Sequence, residues 1–150
     1  MDEVGEFEEL VAQVEPRLRR ALVATYGFER GREATAEALG WAWEHRQQLP
    51  TIENKVAYLY RVGQTRSRKR REPKLYPLPE APEPWFEPGL APALEKLSER
   101  QRVAVILVYG FAWTLQEVAE LTGTRLTTVQ THLERGMQKL RTSMEVTNHA

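Results

Sequence analysis

The sequence predicts an all-α chain: two small helical domains joined by a proline-rich linker. Three observations lead there. Apolar residues recur at spacings of three and four toward both ends of the chain. Ser or Thr followed three residues later by Gln or Glu marks helix starts at Ser98 and Thr114. Seven of the nine prolines fall within residues 73–92. The alternation of half-buried strands is missing, and only "VAVILVY", residues 103–109, is apolar enough for a buried strand. The Ser98/Gln101 pair just upstream makes helix the better reading there.

The helices follow in order. In "FEELVAQVEPRLRRALV", Phe7, Leu10, Val11, Val14, Leu18 and Leu22 lie on one helical face. Pro16 is expected to kink or split that helix, because its ring displaces the preceding turn and it has no N–H. "REATAEALGWAWEHRQQL" is rich in good helix formers and stops at Pro50. A third helix, capped by Thr51, carries Ile52, Val56, Leu59 and Val62 inward and ends before Pro73. These form an N-terminal domain over residues 1–72. The stretch 73–92 reads as an extended, polyproline-like spacer, with Trp85, Phe86 and Leu90 apolar enough to dock onto something. Residues 93–150 form the C-terminal domain.

That second domain reads as a helix-turn-helix. Thr114 and Glu117 make a capping box, and Leu115, Val118, Ala119 and Leu121 face inward. Gly123 stands where a tight turn needs positive φ. Leu126 is expected to plug the gap between helices and Thr127 to cap the second one. Val129, Leu133, Met137, Leu140 and Met144 form its buried stripe, which leaves Thr128, Gln130, Thr131, His132 and Arg135 outward. An ordinary αα-hairpin also has a polar face. Here cap, Ala, Gly, Leu and cap fall at helix-turn-helix spacing, and Gln and Arg suit purine edges in a major groove.

Charge is local. The 21 Lys and Arg balance 21 Asp and Glu, so no uniformly basic coat exists. Yet "YRVGQTRSRKRR", residues 60–71, holds six cations and no acid. Helix-end capping needs fewer, and such a helix should project from its domain toward a phosphate backbone.

Other function classes find little support. The absence of cysteine excludes disulfides and thiol catalysis. His45, His132 and His149 lack ligand spacing, and no phosphate loop or nucleophile–base pair is present, so no enzyme, cofactor or metal is expected. The acidic start "MDEVGEFEEL" is unlike a signal peptide, and no apolar run spans a membrane; a cytoplasmic protein is expected.

Taken together, "AYLYRVGQTRSRKRR", the spacer and "LSERQR … LQEVAELTGTRLTTVQTHLERG" resemble an extracytoplasmic-function (ECF) sigma factor of the sigma-70 family. The resemblance implies a region 2-like N-terminal domain and a region 4-like C-terminal one, directing bacterial RNA polymerase to promoters. It implies −10 contacts by Arg61, Gln64, Arg66, Arg68, Lys69, Arg70 and Arg71, with Tyr58 and Tyr60 near a flipped base. It implies −35 contacts by Arg125, Thr127, Thr128, Gln130, Thr131, His132 and Arg135. Polymerase would be held through its β′ clamp and β flap, with Glu33, Glu37 and Trp43 on the clamp helix. Promoter DNA and an anti-sigma factor are the other implied partners; free, the chain would be a monomer. The clamp helix departs from the family, with Arg30 and Arg32 where acids are expected and Ala36 in place of Gln. A helix-turn-helix regulator or sigma-like adaptor that never joins polymerase is the alternative.

Overall fold

Asp2 starts the first helix: its Oδ1 accepts the Gly5 N–H at 2.7 Å, and α1 runs Glu3–Tyr26. The structure, a computed structural model, describes the backbone of residues 2–69 and 90–149, and the side chains of 2–67 and 90–145. Every regular element among these residues is helical. The chain divides into two units, Met1–Pro77 and Leu78–Ala150.

The first unit is a three-helix assembly of α1, α2 (Phe28–Glu44) and α3 (Lys55–Lys69). Pro16 does not split α1, which is one continuous helix through it. An interior proline costs about 3 kcal/mol. Val14 and Leu18 flank it, with Ala21 and Leu22 beyond, and all four are buried. Each large one contributes roughly 1.5–3 kcal/mol, so packing outweighs the lost bond.

One residue, Gly27, separates α1 from α2, at φ 87° and ψ 176°. With so short a turn the helices touch at once. A Cβ on Gly31 would fall 2.5 Å from the Val23 Cα, so only glycine allows this approach. The α2 helix ends at Glu44, and a short 3-10 turn, Leu49–Thr51, precedes α3. The cap of α3 is Asn54 rather than Thr51: Asn54 Oδ1 accepts the Ala57 N–H at 3.0 Å. The Thr51 hydroxyl instead donates to the Gln48 carbonyl at 2.6 Å inside the 3-10 turn.

Leu18, Leu22 and Leu59 fill the centre, with Ala34 and Ala38 small enough for α2 to lie close. One polar bridge crosses it. The Thr25 hydroxyl donates to the Ala21 carbonyl at 2.8 Å, so the Tyr60 O–H must donate to Thr25 Oγ1, 2.7 Å away. A buried pair satisfied in this way costs little and ties α3 to α1.

The second unit comprises α4 (Leu90–Glu95), α5 (Glu99–Val105), α6 (Leu115–Thr122) and α7 (Leu126–His149). The expected spacer lies outside the described residues over 73–89, Trp85 and Phe86 included, but Leu90–Pro92 are the first turn of α4. Proline is tolerated there because first-turn N–H groups have no helical partner. Leu90 packs with Leu94, Leu97 and Val105 against Leu133, Met137 and Leu140 of α7. The stretch 103–109 is helical: the Ser98/Gln101 capping box forms, and α5 widens into a π-helical turn over Ile106–Gly110. Ala112 beyond it takes φ 59°.

Candidate nucleic-acid interface

In the second unit the turn chemistry forms as expected. Thr114 Oγ1 accepts the Glu117 N–H at 3.0 Å, while Glu117 Oε1 accepts the Thr114 N–H at 2.9 Å. Such a box stabilises a helix by about 1 kcal/mol, which matters for one as short as α6. Val118, Ala119 and Leu121 are buried, and Gly123 is left-handed at φ 68°, ψ 32°.

The start of α7 differs from expectation. Thr127 is not its cap; the Arg125 carbonyl accepts the Thr128 and Val129 N–H groups at 3.0 and 3.1 Å, and the helix begins at Leu126. Leu126 is 40% exposed and fills no gap. The turn is braced instead by Thr122, whose hydroxyl donates to the Val118 carbonyl and meets Thr124 Oγ1 at 2.9 Å.

Val129 points inward at 2% exposure, which turns the next positions out. Arg125, Thr127, Gln130, Thr131 and Arg135 are exposed, with Thr128 and His132 half-buried. Thr127, Gln130, Thr131 and Arg135 recur at three or four, one face of α7. The Thr131 hydroxyl donates to the Thr127 carbonyl at 3.0 Å, so it is already engaged. Glu134 is exposed among them. His132 is held below the ordinary imidazole pKa, first by partial burial and then by Arg100 and Arg135. It is therefore neutral at neutral pH and adds no charge to the row. The helix itself is fixed by Gly136, where a Cβ would stand 2.8 Å from Val105 Cγ2 on α5.

In the first unit the basic end of α3 continues from a packed shaft. Leu59, Tyr60 and Gly63 are buried, while Arg61 and Arg66 are exposed and Gln64 is half-buried. Arg68 and Lys69 form the last residues of α3, their side chains outside the described residues; Arg70 and Arg71 lie wholly outside them. The two tyrosines part company. Tyr60 is a core residue at 3% exposure, whereas Tyr58 is 38% exposed. Tyr58 lies 5.5 Å from Trp41, which stacks on His45 at 4.2 Å with 13° between planes. Sequence reading missed Trp41 and His45 in this aromatic row; their spacing of four on α2 was the available signal.

Glu33 and Glu37 share one face of α2, both half-buried. Trp43 is turned roughly a third of a circle from Glu37. It packs edge-on against Phe7 of α1 at 5.0 Å, beneath the Arg46 guanidinium at 4.0 Å. Arg46 in turn pairs with Glu3 at 2.6 Å. The structure thus brings the two glutamates together and commits much of Trp43 to holding α1 onto α2.

Residues 90–140, from α4 into α7, match the family described as Sigma-70, region 4. The second unit carries a sigma-70 region 4 domain. No curated protein matches the chain. Among solved structures it is similar to the sigma factor RpoE from Bartonella quintana, in its co-crystal structure with the anti-sigma factor NepR. That likeness has a TM-score of 0.68 at 20% identity and covers 94% of this chain and 98% of the other. At that identity it is a likeness of fold. The family match thus covers the second unit, and the likeness of fold to a sigma factor extends over most of the chain. Among the described residues, no helix is long and apolar enough to cross a membrane.

Proposed function

We propose that the chain is an ECF-type sigma factor whose two units contact the two promoter elements separately. In this reading residues 1–72 bind core polymerase and the −10 element, and residues 93–150 bind the −35 element across the proline-rich connection. The observation that carries it is the exposed row Arg125, Thr127, Gln130, Thr131 and Arg135 on α7, inside the stretch that matches region 4. Thr128 and His132 flank that row. The −10 contacts are Arg61, Gln64 and Arg66, continued by Arg68, Lys69, Arg70 and Arg71. Glu33, Glu37 and the exposed edge of Trp43 face the β′ clamp, and the second unit meets the β flap. The complex reported for the Bartonella quintana protein supports an anti-sigma factor as a further partner. The factor works in the cytoplasm, as a monomer when free.

Run-off transcription with core RNA polymerase over a library of promoter fragments tests this. Initiation that depends on the protein is expected, with −10 and −35 elements emerging from the enriched fragments. DNA binding without initiation would leave a regulator that never joins polymerase, the reading favoured by Arg30 and Arg32 on α2.

The basic end of α3 has its own test. Arg66→Ala should lower the slope of log affinity against log salt by about 0.9 on duplex DNA, or about 0.7 on a single strand. At about 0.1 M salt that is a five- to eight-fold loss. Fluorescence anisotropy over a salt series reads it, and an unchanged slope would return α3 to a solvated helix end.

A further inference from the structure

Arg30 occupies the first turn of α2, where the helix dipole disfavours a cation. Its side chain leaves that turn and reaches α3. The guanidinium lies 4.8 Å from the centroid of the Tyr26 ring, and Nη2 donates to Ser67 Oγ at 3.4 Å. Ser67 is the residue after Arg66, two before the end of α3 at Lys69. The α2 charge is thereby set down at Ser67, next in sequence to the exposed Arg66.

Stability alone is a weak reason for this placement. Arg30 is exposed, the hydrogen bond to Ser67 is long, and exposed contacts of this kind contribute little. The ring beneath fixes the guanidinium plane, as cation–π stacking does. A guanidinium has five N–H donors in a rigid fork, and one is used here. Oriented, exposed and rich in remaining donors, the group suits a bidentate contact to a phosphate. Arg32, two residues on, is also exposed but is turned more than half a circle away.

We infer that Arg30 is a phosphate contact, so that the DNA-facing surface of the first unit crosses from α3 onto α2. This rests on the proposed assignment of the α3 end to DNA. The reversed charge at this position is then a gain for nucleic acid rather than a flaw in the polymerase-binding helix.

The full-length protein carrying Arg30→Ala, Arg30→Lys or Arg66→Ala is titrated with labelled oligo-dT and a labelled random duplex over a salt series. Its affinity for core RNA polymerase is measured in parallel. Arg30→Ala should lower the salt slope by about 0.7 on oligo-dT and weaken binding about five-fold at about 0.1 M salt. Arg30→Lys should keep the wild-type slope, and core affinity should not move. A normal slope in Arg30→Ala beside a reduced one in Arg66→Ala overturns the inference and leaves the α3 reading standing, whatever the core affinity does. If neither variant changes the slope, the α3 reading fails and takes this with it. If Arg30→Lys loses as much as Arg30→Ala, the side chain merely supports the end of α3, and the inference is wrong.

Discussion

Gly31→Ala should destabilise the first unit strongly while leaving the second intact. The new Cβ would stand 2.5 Å from Val23 Cα, 2.6 Å from Val23 N and 2.8 Å from the Leu22 carbonyl oxygen. All three are backbone atoms of α1, so no side chain can rotate aside. Relief requires moving α2 away from α1, and Gly27, the single residue between them, leaves no slack. Overpacking a core costs about 1–3 kcal/mol and occasionally more. Rigid obstacles put this case at the upper end. A small domain has only about 5–15 kcal/mol in total, so a loss of about 3 kcal/mol takes from about a fifth to more than half of its margin.

Two other glycines make the cause separable. Gly27→Ala meets nothing within 4 Å, yet its φ of 87° with ψ 176° is a region only glycine enters freely. It should cost about 1–3 kcal/mol through strain alone. Gly40, inside α2 with open space around its Cα, should gain up to about 1 kcal/mol on becoming Ala. Chemical denaturation followed by circular dichroism gives the order, and hydrogen exchange assigns the loss to α1–α3. A Gly31→Ala protein as stable as Gly40→Ala would refute the close helix approach.

Sequence reading succeeded where the physics is local and failed where it is not. Both capping boxes and the left-handed Gly123 were legible because each needs only residues within one turn. Pro16 reads as a break because the burial that carries α1 through it comes from other helices. Thr51 and Asn54 are both good caps, and only the path of the chain after Leu49 selects Asn54. The exposed row on α7 was legible because Val129 and Leu133 fix which side faces in. Leu126 was not, since an apolar residue at a helix start can face either way. The placement of Arg30 beside Ser67 depends on how α2 folds back along α3, and nothing local encodes that.

Replacing Gln130 and Arg135 together should abolish use of promoters that depend on a strong −35 element. Thr131 has spent its hydroxyl on the Thr127 carbonyl, and His132 is half-buried and neutral. On the proposed reading, specific hydrogen bonding from α7 therefore falls mainly on Gln130 and Arg135, both exposed. Each bidentate base contact is worth about 1–3 kcal/mol, so losing two reduces occupancy by roughly thirty-fold to roughly twenty-five-thousand-fold if they act independently. The single variants differ in kind. Gln130→Ala removes no charge, so its salt slope should match wild type while discrimination at one base pair relaxes. Arg135→Ala should relax discrimination if the guanidinium reads a guanine, or lower the slope by about 0.9 if it holds a phosphate. Binding of polymerase holoenzyme to promoter fragments with single −35 substitutions, over a salt series, separates these outcomes. A Gln130→Ala protein that weakens on every fragment alike would show that Gln130 positions α7 without reading sequence, and would shift recognition toward Arg125 and the turn.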